Sequence, residues 1–321
     1  MLLSPRISRL LGAIRRAPFH FHVSLSRRTW RRLVQLFLFV LIFPLVLQWT
    51  LAYLISSDVR LIPPDLQGAK NLLVVTAHPD DECLFFAPSI LGVLDQNRNV
   101  HGSLISISTG NNYGIGDLRK KELTGSCAAL RIDPARCIAL DHPALQDNPT
   151  LWWDTALVQT IVHDYIAKWD IDAILTFDEG GVSGHINHRA VSAAICELVS
   201  SSATDRPIVA YMLVTTPLWR KYTFLGDLPL TALRFTLRIL AALFFPRRVT
   251  LEAIATTTTT VSDGDVAAGS RALIANTWHR YQKTREAFRH HSSQYTWDRH
   301  LYMIISRYVW FNDLRKIEPK T

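Results

Sequence analysis

Two short clusters in this chain of 321 residues concentrate histidine and carboxylate: His78-Pro79-Asp80-Asp81-Glu82 and Gly184-His185-Ile-Asn-His188. Each follows an apolar run rich in branched side chains, Asn71-Leu-Leu-Val-Val-Thr-Ala77 and Ile171-Asp-Ala-Ile-Leu-Thr-Phe177. Such runs read as buried strands, and open α/β sheets place their chemistry beyond the carboxyl ends of strands. Two His/Asp clusters at two strand ends are what a divalent metal site for hydrolysis needs. Successive residues of a turn point in different directions. Of the adjacent Asp80 and Asp81, one can therefore bind a cation while the other stays free as a general base. An acidic strand end by itself would equally suit Mg²⁺ and phosphoryl chemistry. The second cluster favours Zn²⁺, because imidazole is a good zinc ligand and a poor magnesium ligand. His185 and His188, three residues apart where a helical stretch begins, can face one way. Singly, the clusters have plainer readings, a turn histidine bonded to backbone and a pair of exposed histidines at a helix start. Jointly they favour the metal.

The elements that must hold these clusters alternate along the chain. Strands are expected at 72–77, 102–109, 137–140, 173–177 and 208–214, with helices at 85–96, 116–130, 154–168 and 187–200. Alternation of this kind predicts an α/β fold, a Rossmann-like, mostly parallel sheet covered by helices on both faces. Thr256 to Thr260 is a run of five threonines, read as a solvated loop or edge segment.

The charge is uneven. Eight arginines and no acid precede Leu33, and beyond it 27 basic residues face 27 acidic ones. The net +8 thus belongs to the basic arm 1–32, which argues against a nucleic-acid-binding body. Residues 33–55 form 23 positions without a formal charge, enough for one transmembrane helix before the folded domain. A cleaved targeting segment is the competing reading, but the apolar run is too long for that alone. Arg27, Arg28, Arg31 and Arg32 abut the run, which by the positive-inside rule puts the amino terminus in the cytosol. Residues 56–69 read as a linker, and 70–321 as the catalytic domain. Within it 224–248 is apolar but carries Asp227, Arg234 and Arg238, so it suits a membrane surface better than a span. Cys83, Cys127, Cys137 and Cys196 show no paired spacing; they exclude a dense disulfide framework and suit a reducing compartment.

Thr76-Ala-His-Pro-Asp-Asp-Glu82 and Gly181-Val-Ser-Gly-His-Ile-Asn-His188 resemble the two signatures of the LmbE-like zinc deacetylases. The flanking stretches Phe85-Phe-Ala-Pro88, Gly110-Asn-Asn-Tyr113, Arg119-Lys-Lys-Glu-Leu123, Trp153-Asp154, Thr176-Phe-Asp178, His291-Ser-Ser-Gln294 and Ser306-Arg-Tyr308 are similar to the branch of that family acting on a lipid-linked sugar. The resemblance covers about 70–314, weakest from 219 to 270. It implies zinc ligands at His78, Asp81 and His188, a general base at Asp80, a second catalytic histidine at His185 and a sugar-side arginine at Arg119. It also implies the glycolipid N-acetylglucosaminyl-phosphatidylinositol as substrate and the cytosolic face of the endoplasmic reticulum, against the orientation the arginines favour. Deacetylation of a soluble amino sugar, or a membrane binding protein without turnover, are the alternatives. No partner protein is deducible.

Overall fold

The computed structural model describes residues 26–97, 99–200, 208–247 and 270–318. Phe43–Thr321 is one compact unit and Met1–Ile42 another. The threonine run and residues 1–25 of the basic arm lie outside the described residues.

Seven strands form one sheet in the order β3-β2-β1-β4-β5-β7-β6. β1 (Asn71–Thr76), β2 (His101–Ser106), β3 (Ile132–Ala139), β4 (Ala173–Phe177) and β5 (Val209–Leu213) are parallel. These are the five strands the apolar runs mark. β1 and β4 are buried along almost their whole length, as strands covered on both faces must be. The chain builds outward from β1 to β3, then returns to β1's other side with β4. That reversal opens a crevice at the carboxyl ends of β1 and β4, the two strands that carry the two clusters.

β6 (Arg271–Ala275) and β7 (Phe311–Lys316) complete the sheet, with β7 lying between β5 and β6 and antiparallel to both. Neither was expected. Phe311-Asn-Asp-Leu-Arg-Lys316 carries too few apolar residues to read as a strand, and pairing with β5 supplies what its own pattern lacks. The covering helices are those the sequence marks. The turn Glu82–Phe86 leads into α2 (Ala87–Leu94), followed by α3 (Gly116–Ala129), α4 (Thr155–Trp169) and α5 (Ile186–Ser200).

Three departures from the sequence reading have physical causes. Helix α1 (Arg27–Trp49) begins six residues earlier than the apolar run, because arginine is a good helix former. With the wide turn Thr50–Leu54 it makes a helix of 28 residues, long and apolar enough to cross a membrane. The stretch 56–69, read as a linker, is packed: Leu61, Ile62 and Leu66 are buried, and Leu61 accepts a backbone hydrogen bond from Leu273 at 2.9 Å. Cys127 and Cys137, read as separate thiols, form a disulfide, because the last turn of α3 lies against β3.

The segment after β5 folds as short helices α6 (Leu218–Lys221) and α7 (Leu228–Ala232), then α8 (Thr236–Phe244). Ala232, Phe235, Ile239 and Ala242 pack on Leu51, Ala52, Ile55, Leu273 and Phe311. Its charges have partners within the domain. Asp227 is buried against Arg307 and Arg220, and Arg234 reaches Asp313 at 3.6 Å. Left facing outward are Leu230, Leu233, Leu237, Leu240, Phe244 and Phe245.

Asp227 is the sole carboxylate paired with Arg307 among the described residues. Removing it would leave a buried guanidinium uncompensated. Asp227→Ala is expected to destabilise the domain by about 3–5 kcal/mol. Asp227→Leu with Arg307→Met should recover most of that loss. Thermal unfolding of the detergent-solubilised chain measures both, and an Asp227→Ala midpoint equal to wild type would rule the pair out as a structural requirement.

Candidate metal and catalytic site

The β1 exit turn has an unusual backbone. Asp80 adopts φ 111°, in the region L residues rarely enter, which a turn keeps only where its surroundings impose it. Glu82 supplies one constraint, its Oε2 accepting from the Asp80 N–H at 2.9 Å. The Asp80 carbonyl accepts from Leu84 N at 3.0 Å and from Cys83 Sγ at 3.1 Å. Arg119, on α3, donates to the carbonyls of Pro79 at 2.5 Å and Gly110 at 3.0 Å, and lies 3.6 Å from Asp80 Oδ1. Its guanidinium is buried, so what Arg119 touches is this turn rather than open space beside the site.

The result is that the neighbouring carboxylates diverge. Asp81 folds back, Oδ2 accepting from the backbone N–H groups of His78 at 2.8 Å and Ala77 at 3.1 Å. This leaves Oδ1 facing His188 Nε2 at 3.3 Å. The third corner is His78 Nδ1, 3.3 Å from His188 Nε2 and 3.8 Å from Asp81 Oδ2. Three ligand atoms around a tetrahedral ion with bonds of about 2.0–2.1 Å stand about 3.3 Å apart. Two of the observed separations equal that edge.

The outer atoms fix which lone pairs face inward. His188 Nδ1 donates to the Gly181 carbonyl at 2.9 Å, leaving Nε2 unprotonated toward the cluster. Gly181 must be glycine here: its φ is +57°, and a Cβ would come within 2.8 Å of the His188 Cβ. Phe177, the last residue of β4, stacks on the His188 ring at 4.2 Å and sets its plane. Asp147 stands 3.1 Å from His78 Nε2, close but not aligned as a hydrogen bond, and marks that nitrogen as the protonated one.

His185 also joins the group, its ring 4.8 Å from His78 and 5.0 Å from His188. It differs in protonation and exposure. Its Nδ1 accepts from Asn187 N at 3.3 Å, which favours the proton of the neutral ring on Nε2. Burial, then His78 and His188, hold its pKa down to about 4, so it is neutral at physiological pH. His78 Nδ1, Asp81 Oδ1 and His188 Nε2 are spaced as a divalent ion requires, and His78, His185 and His188 bring ring nitrogens within 4.8 Å of one another. Burial, with Asp81 adding and Arg119 opposing, raises the Asp80 carboxyl above the usual carboxylate range, which strengthens it as a base.

Sequence patterns gave roles to the six residues above, and took in the stretches holding Glu82, Glu122, Asp178 and His291 without giving those residues a role. Glu82 is fully buried, its Oε1 accepting from Ser126 Oγ at 2.5 Å and paired with His291 Nε2 at 2.7 Å. Glu122 accepts from Ser292 Oγ at 2.6 Å and from the backbone and hydroxyl of Ser293 at 2.7 and 2.6 Å. The His291-Ser-Ser-Gln294 stretch is thus a brace against the β1 turn. Asp178 does the same for the β4 exit, accepting from Gly180 N at 3.0 Å and Thr215 N at 2.6 Å. Asp147, on an irregular loop after β3, gave no signal beyond being one acid among many.

The profile of the GlcNAc-PI de-N-acetylase (PIG-L) family matches residues 73–199, spanning both clusters. The N-acetylglucosaminyl-phosphatidylinositol de-N-acetylase of Bos taurus is 32% identical over 273 residues, covering 84% of this chain and 94% of that protein. Its namesake from Saccharomyces cerevisiae is 30% identical over 278 residues, covering 80% and 85%. Among solved structures, the N,N'-diacetylchitobiose deacetylase of Pyrococcus horikoshii shares the fold at a TM-score of 0.51 and 14% identity, covering 79% of this chain and 86% of that one. On the identity and coverage of these relatives, joined to the paired clusters at the β1 and β4 ends, the chain belongs to the PIG-L family of GlcNAc-PI de-N-acetylases.

Proposed function

We propose that this chain hydrolyses the N-acetyl group of N-acetylglucosaminyl-phosphatidylinositol, releasing acetate and glucosaminyl-phosphatidylinositol in the assembly of GPI anchors. One observation carries the reading: His78, Asp81 and His188 converge with ion-spaced donor atoms beside the unligated Asp80. The substrate follows from relatives of that name at 32% and 30% identity.

Two imidazoles and one carboxylate suit Zn²⁺. Bound there, it would supply a Lewis acid for the acetamide carbonyl and a water of pKa about 7. Asp80 removes the proton from the attacking water. His185, as the neutral Nε2–H tautomer, donates a hydrogen bond to the oxygen on which charge develops. The proton Asp80 has collected is the one the departing amine requires, so the same carboxyl acts as base and then as acid. Arg119 holds the turn that aims it.

The outward Leu233, Leu237, Leu240 and Phe244 support a membrane-surface role for 224–248, next to a lipid-anchored substrate. We assign the protein to the endoplasmic reticulum membrane, single-pass, with the site on the cytosolic face. The pathway implied by its relatives supports this, whereas the arginines beside the span and the Cys127–Cys137 disulfide favour the opposite face. Protease added to sealed microsomes should digest the catalytic domain, and full protection would reverse the orientation.

Asp80→Asn should lower deacetylation of the labelled glycolipid by about 10²-fold or more while metal content stays at the wild-type value. Asparagine tolerates a positive φ, so the turn survives the change. Near-normal turnover would remove Asp80 from the base role. His188→Ala should lose the metal, whereas His185→Ala should keep it and lose turnover. Metal analysis of the purified variants separates the two histidines, and loss of metal in both would make His185 a ligand.

A further inference from the structure

The glycolipid read for this site has a phosphodiester as well as an acetamide, and the metal cluster accounts only for the acetamide. The helix after β5 holds a group suited to the other. Lys221, the last residue of α6, is 5% exposed. Its ammonium lies over the rings of Phe85, Tyr222 and Tyr302 at 5.4, 5.5 and 5.7 Å. No carboxylate pairs with it among the described residues, in contrast to its neighbour Arg220, which is bound to Asp227. Phe85 in turn sits 5.9 Å from the His188 ring, so one aromatic side chain separates the ammonium from the metal ligands.

Ring faces attract a cation but replace little of its lost hydration. Burial accordingly holds the amine down to about 8, with Arg299 adding to the effect and Asp81 opposing it. Arg299 stands on the helix Trp297–Ile305, three residues before Tyr302, and lies 4.0 Å from Asp298. An anion reaching Lys221 would meet a desolvated ammonium with no competing partner, the arrangement in which a charge-assisted hydrogen bond is strongest. The surroundings match the rest of a phospholipid. Leu218 and Trp219 on the same short helix are 71% and 67% exposed. Trp297, Leu301 and Ile304 form an outward apolar stripe at i, i+4 and i+7 on the neighbouring helix Trp297–Ile305, whose Tyr302 packs on Tyr222.

We propose that Lys221 is the binding residue for the substrate's phosphodiester, gripping the glycolipid by its phosphate while the acetamide lies at the His78–Asp81–His188 cluster and the acyl chains leave over Leu218 and Trp219. The assignment rests on the deacetylase reading above and adds the subsite that tells a lipid phosphate from a neutral glycoside.

The test compares wild type, Lys221→Met and Lys221→Arg, as full chains with equal metal content, in a phosphate-free detergent. The probes are N-acetylglucosaminyl-phosphatidylinositol and N-acetylglucosaminyl-inositol, the same glycoside without its phosphate. Lys221→Met is expected to raise KM for the glycolipid about tenfold or more. It should leave kcat and turnover of the phosphate-free glycoside within twofold of wild type. Lys221→Arg should restore most of the loss. Equal losses on both probes would reduce Lys221 to a packing residue, and no loss on the glycolipid would remove it from binding; either overturns the proposal. A defect that shows only when bulk phospholipid is added would assign the site to membrane phosphate and overturns it too. If wild type releases acetate from neither probe, the deacetylase reading falls first, a result distinct from all of these.

Discussion

The site depends on one backbone constraint: Asp80 held at φ 111° so that two adjacent carboxylates do different work. In an ordinary turn, Asp80 and Asp81 would compete for one cation, and two bare carboxylates side by side would push each other toward protonation. Here Asp81 is turned back onto the amides of Ala77 and His78, which aim its free oxygen, and against the effect of burial His188 followed by His78 holds the carboxyl below the usual range. Asp80 is turned the other way, toward Arg119. A strained φ costs free energy, and the buried Glu82 carboxylate and Arg119 offset it.

That requirement accounts for parts of the chain far from the two clusters. Glu82 is fully buried, and a lone carboxylate in that position would favour its neutral form. His291 prevents this, its imidazole drawn above its ordinary value by Glu82 against the effect of burial, while Glu82 is drawn below its own. His291 lies just after the long helix Trp278–His290, between β6 and β7, so the antiparallel end of the sheet is the scaffold that delivers the brace. The same helix packs along α3, the source of Arg119 and Glu122. The five-stranded parallel core places His78, Asp81 and His188, and the carboxyl-terminal third of the chain braces the turn that carries Asp80.

This division explains what the sequence disclosed. His78, Asp81, His185 and His188 stand in short motifs at the ends of continuous apolar strands, so their convergence was legible: the strand order that reverses between β1 and β4 brings those carboxyl ends together. The supporting residues were not. Glu82, Glu122, Asp147 and His291 act through contacts across long sequence separations, and a buried acid has no local pattern distinguishing it from a solvated one. β7 was missed because its polar residues, Asn312 and Asp313, are satisfied by tertiary partners, Ser89 and Phe85 for the one and Arg271 for the other. Arg119 shows the reverse error in kind: its place was legible but its contacts were not, since a basic side chain in a motif looks the same whether it faces substrate or backbone.

The segment after β5 shows why formal charge is a poor guide to a lipid-facing surface. Read linearly, Asp227, Arg234 and Arg238 interrupt an apolar stretch and would be expensive in hydrocarbon. Folded, Asp227 neutralises the buried Arg307, Arg234 approaches Asp313, and Arg238 lies over the Phe235 ring with a carbonyl contact to Arg271 at 3.4 Å. Each charge has a partner within the protein, and Leu230, Leu233 and Leu237 between them face outward. The apolar exterior is therefore a consequence of inward pairing, and the charges that seem to disqualify the segment as a lipid surface are what free its other face to be one.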